Sequence, residues 1–242
     1  MEIISNLKTK INNNSLKVSI IGLGYVGLPV AHHFSKKFKV IGFDKNTNRI
    51  LSLKKKIDFN NSLSKKELKT NKITFSSNLQ DIRCSDVFIL TLPTPINKNK
   101  KPELKFIYQA LNSLIRLGIK NKIIILESTV FPGASESLFI KYLERKTKLK
   151  INLDFFYGYS PERINPGDKK NKFDNISKIV SGSNKEILNI LYLLYKKVVK
   201  KVFKSSSILT AETAKLIENS QRDLNVSFVN EIAIICNKFK IK

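Results

Sequence analysis

Short apolar runs alternate with helix-period segments along almost the whole chain. Residues 18–21, 39–43, 72–75, 86–91, 122–126, 155–158, 176–181 and 200–203 are short stretches rich in Val, Ile, Leu and Phe, bounded by polar or glycine-containing turns. Stretches that short and that predominantly apolar predict strands covered on both faces, as in parallel sheets. Between them, residues 25–36, 46–55, 104–117, 134–145 and 184–195 carry apolar positions at helical spacing, and Gly118 closes the third of these. Residues 62–70 are polar and show no clear period. Residues 206–240 form a long helical pattern with neither Gly nor Pro. Residues 1–15 are polar, with Asn12, Asn13 and Asn14 in succession, and read as a loose, flexible basic arm. Strand alternating with helix predicts an α/β fold: a doubly wound, mostly parallel, Rossmann-like sheet over residues 16–204, followed by a long helix over 205–242.

In such sheets ligands sit beyond the C-terminal ends of the strands. Four motifs fall on that rim. Gly22-Leu23-Gly24-Tyr25-Val26-Gly27 follows the first predicted strand and opens the first predicted helix. Its first glycine suits a tight turn, its second lets backbone approach a pyrophosphate, and its third allows close helix–strand packing. Tyr25 and Val26 lie within the same turn. Asp44, at the end of the second strand, is placed to accept a ribose hydroxyl and to repel a 2′-phosphate, which favours NAD. Arg49 nearby either softens that preference or is a solvated helix residue. Thr91-Leu92-Pro93-Thr94-Pro95 leaves the fourth strand with two prolines fixing its direction, and Glu127-Ser128-Thr129 leaves the fifth. Each of these two alone reads as a rigid turn or a helix cap.

Two further segments carry chemistry-bearing groups. Residues 159–168 are irregular and include Glu162 and Arg163. Lys215 and Asn219 stand at i and i+4 on the long helix, so an ammonium and an amide leave one face and suit a developing oxyanion. A solvated face with Glu212 paired to Lys215 and Glu218 to Arg222 explains the same residues.

Composition changes this picture little. The chain has 242 residues and a net charge of +25, but only six of its 44 basic residues are arginines: Arg49, Arg83, Arg116, Arg145, Arg163 and Arg222. Scattered lysine without clustered arginine and aromatics predicts solvated faces rather than a specific nucleic-acid surface. Nonspecific polyanion binding would be lost at moderate salt. Two cysteines, Cys84 and Cys236, make no disulfide framework and read as buried, inert thiols. His32 and His33 read as packing or surface residues. No apolar run approaches the ~20 residues that span a bilayer, and no secretory signal opens the chain. The expected setting is the cytoplasm, with no membrane partner and no metal.

In order, Gly22–Gly27, Leu92–Pro95, Glu127–Thr129, Ser160–Asp168 and Lys215–Asn219 resemble the motifs of the UDP-glucose/GDP-mannose dehydrogenase family, over nearly the whole chain. Pro93-Thr94-Pro95-Ile96-Asn97, the run from Ser160 to Lys169 and the run from Glu218 to Asn225 are most similar to the branch that oxidises UDP-N-acetylhexosamines, such as UDP-N-acetylglucosamine or UDP-N-acetylgalactosamine. Pro166 stands where UDP-glucose dehydrogenases usually carry a second glutamate. The resemblance implies NAD as cofactor and a four-electron oxidation of the sugar 6-hydroxyl to a uronic acid through a cysteine thioester. It implies that Thr129 and Glu162 handle water and proton transfer and that Lys215 and Asn219 stabilise oxyanions. It also implies that Arg163 and Arg222 contact the UDP-sugar, that Thr94 and Thr129 border the cofactor, and that the long helix begins a central dimerisation region. The family's Gly-Gly-x-Cys segment and second, sugar-nucleotide domain are not in this sequence. The expectation is therefore an N-terminal part that is not fully active alone. The alternatives are a UDP-glucose 6-dehydrogenase-like fragment, or a noncatalytic NAD-binding module docking to a separate C-terminal half.

Overall fold

A computed structural model describes residues 2–70, 72–162 and 177–241. Eight strands form one sheet in the order β3-β2-β1-β4-β5-β6-β7-β8. They are β1 (Lys17–Ile21), β2 (Lys39–Phe43), β3 (Ile73–Ser76), β4 (Val87–Leu90), β5 (Ile123–Leu126), β6 (Phe156–Tyr159), β7 (Ser177–Gly182) and β8 (Lys201–Lys204). Every pairing is parallel except β6 with β7, where Gly158 faces Gly182 and Tyr159 faces Ser181. Strands β4, β5 and β6 are buried at every position, which is why their sequences run apolar without alternation. The strand order reverses between β1 and β4, and that reversal opens the crevice in which this class of sheet binds ligands.

Helices cover both faces. On one lie α1 (Glu2–Asn12), α2 (Gly27–Ser35), α3 (Thr47–Lys54), α4 (Lys65–Thr70) and α7 (Lys185–Lys196). On the other lie α5 (Lys105–Leu117), a π-helix (Ser135–Ile140) running into α6 (Lys141–Thr147), and the start of α8 (Ile208–Phe239). Within the described residues no helix is long and apolar enough to cross a membrane.

Two local readings change. The expected loose arm at residues 1–15 is largely helix α1. Ile4, Leu7 and Ile11 are buried on one of its faces, packed against α7. Lys10 Nζ holds Asp86 at 2.6 Å, and the Lys17 N–H donates to the same carboxylate. Three apolar residues at helical spacing suffice to dock a helix whose other faces stay polar. The aperiodic stretch 62–70 ends in α4, which starts from a reciprocal capping box. Ser64 Oγ and N–H both donate to Glu67, while the Glu67 N–H donates to Ser64 Oγ.

Helix α8 is capped by Ser207, whose hydroxyl accepts from the Thr210 N–H at 3.0 Å. Its buried residues are Ile208, Ala211, Glu212 and Lys215. Beyond them the apolar side chains Leu216, Ile217, Leu224, Val226, Phe228, Val229, Ile232, Ile234, Ile235 and Phe239 are all exposed.

Candidate active site

The phosphate turn is locked from within. Gly22 has φ +94°, a region that glycine occupies without strain. Its carbonyl lies so close to Gly27 that a Cβ there would stand 1.8 Å from it. Thr91 Oγ1 donates to that carbonyl at 2.7 Å, tying β4 to the turn. Helix α2 begins without a side-chain cap and without an acidic residue in its first turn. Its open N–H groups and dipole therefore face the crevice as an anion site. This cradle fits a dinucleotide diphosphate.

Asp44 closes the second strand with Oδ2 accepting from the Leu23 N–H at 2.8 Å and Oδ1 from the Asn46 N–H at 2.9 Å. The carboxylate is thereby aimed along the rim with lone pairs still open to a ribose. Arg49 is neither of the two things its sequence position allowed. Its Nε donates to the Leu23 carbonyl at 2.8 Å and its guanidinium pairs at 2.7 Å with buried Asp58. Asp58 in turn accepts from the backbone N–H groups of Asn60, Ser62 and Leu63. Arg49 does not line the cavity; it braces the turn from behind. Lys45, the other nearby cation, is held by Gln109 at 2.8 Å.

One cavity of about 1670 Å³ runs along the rim, and Gly22, Gly24, Tyr25, Val26, Asp44, Thr94, Thr129, Glu162, Lys215, Asn219 and Arg222 all line it. Gly27 stands behind it and acts through packing. The two loops on the rim are cross-tied, the Leu92 N–H donating to Ser128 Oγ at 2.9 Å and Thr94 Oγ1 to the Thr129 carbonyl at 2.7 Å. Arg163 and the rest of the irregular segment, residues 163–168, lie outside the described residues.

Lys215 and Asn219 open into this cavity from α8. Their helix is fixed by Glu212, whose carboxylate accepts from the Gly133 N–H at 2.6 Å and the Ser135 N–H at 3.0 Å, capping the π-helix. The pairing of Glu212 with Lys215 allowed by the sequence is thus replaced. Glu218 lies between Lys215, at 3.7 Å, and Arg222, at 3.6 Å. Burial raises the Glu212 carboxyl above its ordinary value, against the pull of its hydrogen bonds to Ser135 and Gly133.

Behind Glu162 lies a group that sequence reading missed. Lys178 of β7 is buried between Glu127, at 2.6 Å, and Glu162, at 2.8 Å. The Tyr195 hydroxyl meets the other oxygen of Glu127. Burial pushes Glu127 up to about 7 despite the facing ammonium. Burial alone would lower Lys178, and the two carboxylates overcome it and raise the amine. A single lysine in a predicted strand looks like an outward-facing residue. The signal available was two acids, Glu127 and Glu162, each following one of two neighbouring strands, with no arginine beside Glu127.

Neither cysteine lines the cavity. Cys84 is exposed rather than buried, in the turn between Ile82 and β4, and Cys236 is half-buried on α8. His32 and His33 are buried within α2. Among the described residues no cluster of His, Cys, Asp and Glu is placed to hold a metal.

A mostly parallel sheet with a glycine phosphate turn at its switch point and an acid at the end of β2 is the arrangement of a dinucleotide-binding domain. Residues 16–203 match the UDP-glucose/GDP-mannose dehydrogenase NAD-binding domain and residues 209–242 match the central domain of the same family. The chain belongs to that family. It is 47% identical over 228 residues to UDP-N-acetyl-D-glucosamine 6-dehydrogenase of Pseudomonas aeruginosa, covering 93% of this chain and 54% of the relative. With the Salmonella typhi protein of the same name it shares 44% over 230 residues, covering 94% and 54%. The fold is similar to that of UDP-D-ManNAc dehydrogenase from Pyrococcus horikoshii, with TM-score 0.80 and 28% identity over 93% of this chain and 55% of that one. UDP-N-acetyl-mannosamine dehydrogenase Cap5O from Staphylococcus aureus superposes with TM-score 0.78 at 29% identity, covering 92% and 55%. The chain spans about half the length of the curated relatives it matches.

Proposed function

We propose that this chain supplies the NAD-binding part and one wall of the catalytic site of a UDP-N-acetylhexosamine 6-dehydrogenase. The observation that carries this reading is that Lys215 and Asn219 open into the same cavity as the dinucleotide rim, with Thr129 and Glu162 also on its wall. Gly22, Gly24, Tyr25, Val26 and the N-terminus of α2 hold the diphosphate, Gly27 keeps the helix close, and Asp44 takes the ribose hydroxyls. Arg49 is turned away to Leu23 and Asp58, so it does not serve a 2′-phosphate at Asp44. NAD, when bound, accepts hydride from the sugar carbon. Lys215 and Asn219 donate to the oxygen on which negative charge develops. Glu162 takes the hydroxyl proton, directly or through water held by Thr129. Arg222, on the cavity wall, meets the anionic UDP-sugar; Arg163 is assigned to the substrate by the family resemblance alone.

A thiol for the aldehyde stage has to come from outside this cavity, so we place it in the other half of the enzyme. The exposed apolar run of α8 is the surface on which that half, or a second copy of the chain, docks. The two free thiols fit a reducing compartment, and we place the protein in the cytoplasm. Calorimetry on the 242-residue chain tests the cofactor part. The expected result is binding of NAD and NADH, much weaker binding of NADP, and negligible uronate formation from UDP-N-acetylglucosamine. Absence of heat with NAD and NADH on folded protein would overturn the reading, and so would sustained uronate formation by the chain alone.

A further inference from the structure

The Asp44 carboxylate is not free to swing away from a ligand, because its two oxygens accept from the N–H groups of Leu23 and Asn46. A 2′-phosphate placed there meets a fixed negative charge, and a cation close by is what would offset it. Two cations stand near in sequence, Lys45 and Arg49. Arg49 is committed elsewhere. Its side chain is 10% exposed and binds the Leu23 carbonyl and the carboxylate of Asp58, itself 1% exposed. Drawing Arg49 out would strand a buried carboxylate, which is costly.

Lys45 is held differently. Its Nζ donates at 2.8 Å to Gln109 Oε1, an exposed bond between residues 64 apart in sequence. Both residues line the cavity, so the bond joins the end of β2 to α5 beside the ribose position. Gln109 offers a neutral amide oxygen, and water competes for both partners. Lys45 is next to Asp44 and ends in a compact ammonium on a flexible stem. Released from Gln109, it is able to turn toward an anion beside Asp44. Arg116, another cation on this wall, lies two turns beyond Gln109 on α5, with its guanidinium 3.4 Å from Ser113 Oγ.

We infer that Gln109 is a specificity-determining residue of the cofactor site: by holding the Lys45 ammonium on α5, it keeps that charge from a 2′-phosphate at Asp44 and widens the preference for NAD over NADP. This rests on the NAD reading given above and names what sets the size of the preference. Asp44 supplies the repulsion, and the Lys45–Gln109 bond keeps the repulsion uncompensated. NAD presents a neutral hydroxyl at the same ribose carbon, so it gains far less than NADP from the release of Lys45.

Competition on the 242-residue chain tests this, with NAD and NADP each displacing NADH followed by its own fluorescence at low salt. The readout is the dissociation constant of NADP divided by that of NAD. In Gln109→Met, which keeps the side chain's length and removes the acceptor, the ratio should fall at least about fivefold, the scale of one exposed hydrogen bond to a charged group. Gln109→Ala should move it in the same direction. In Lys45→Met the ratio should stay at the native value or rise, and adding Gln109→Met to Lys45→Met should produce no fall. At about 0.5 M salt the fall should shrink, because an exposed charge causes it. A merely structural disturbance of α5 would weaken both cofactors together and take no account of Lys45.

The inference is overturned if Gln109→Met and Gln109→Ala both keep the ratio within about twofold of native. It is also overturned if the fall persists without Lys45, which would assign it to Arg116 or to the wall itself. Two substitutions at position 109 keep the test decisive should melting curves show that one of them fails to fold. NADP that displaces no NADH from any variant counts against the inference and leaves the NAD reading standing. Failure of NAD and NADH to bind the native chain would overturn that reading, and this inference with it.

Discussion

Replacing Gly27 with alanine and Gly24 with alanine should separate packing from ligand contact within one turn. A Cβ on Gly27 would meet the Gly22 carbonyl oxygen at 1.8 Å and Thr91 Oγ1 at 2.4 Å. Real Cβ contacts stay above 3.0 Å, so α2 and the turn must part by roughly 1 Å, a displacement that close packing resists. All nine residues of α2 are buried, and the shift disturbs the core beneath. Overpacking of this kind costs about 1–3 kcal/mol, and backbone on one side puts the expected cost near the top of that range. For a chain of this size that is roughly 2–4 °C of melting temperature per kcal/mol, hence a drop of about 4–12 °C. NAD affinity should fall at least about tenfold, since losing one charge-assisted hydrogen bond exceeds the ~1.4 kcal/mol that a decade requires. Gly24 is the opposite case, with no heavy atom within 4 Å of its built Cβ. Gly24→Ala should melt within about 2 °C of the native chain yet lose NAD affinity by a comparable factor, because its methyl takes the space the pyrophosphate needs. Thermal melts and calorimetry on both variants decide. Native melting in Gly27→Ala would refute the packing argument, and native NAD affinity in Gly24→Ala would refute the placement of the diphosphate.

Lys178→Met leaves two buried carboxylates without their ammonium and should cost about 3–5 kcal/mol, read as a lower urea midpoint at unchanged slope; an unaltered midpoint would show the pair to be dispensable. Glu127 rises from 4.5 in the unfolded chain to about 7 in the folded one, so the folded state binds its proton more tightly. That contribution to stability is whole below about pH 4.5 and is lost as pH climbs through about 7. Melting temperature should therefore fall more steeply between about pH 5 and about pH 8 in the native chain than in Glu127→Gln, and parallel curves would contradict this. Glu212, also raised, slopes the same way and is common to both. Leu7→Ala should destabilise by about 2–5 kcal/mol, as expected for a core leucine; a loss below about 0.5 kcal/mol would return α1 to the status of a loose arm. Glu212→Gln leaves one of the Gly133 and Ser135 N–H groups poorly paired, at about 1–3 kcal/mol. Hydrogen exchange at those amides should quicken while NAD binding persists, and unchanged exchange would dismiss the brace.

The strands and the rim were legible because burial on both faces makes β4 and β5 uniformly apolar, and because a phosphate turn needs glycine at fixed places. Strand β2 falls where the pattern put it, and Asp44 closes it. What escaped reading depended on contacts between distant segments. Helix α1 hides behind a polar majority, and its three apolar residues have meaning only once α7 is beside them. Lys178 reads as surface lysine in a chain full of surface lysines, until β7 turns antiparallel to β6 and carries it in between two acids. Arg49 had two sequence readings, and the structure supplied a third through Asp58, a residue with no motif around it. Glu212 looked like a solvated partner for Lys215, because nothing local shows that the loop after Thr129 brings two N–H groups to it. Cys84 was misplaced because an apolar strand two residues on suggested burial, whereas the turn before β4 faces water.

These hidden contacts are what join the two halves of the site. The phosphate turn is tied to β4 through Thr91, the β4 loop to the β5 loop through Ser128 and Thr94, and the end of that loop to α8 through Glu212. Lys215 lies one turn beyond Ala211 and Asn219 one turn further, just past the last buried residues of α8. The position of Lys215 and Asn219 relative to the phosphate turn is therefore set by a short series of hydrogen bonds rather than by the exposed remainder of the helix. A partner docking on the outer part of α8 would bear on a helix already clamped at its root. It would complete the cavity around Lys215 and Asn219 without having to place them.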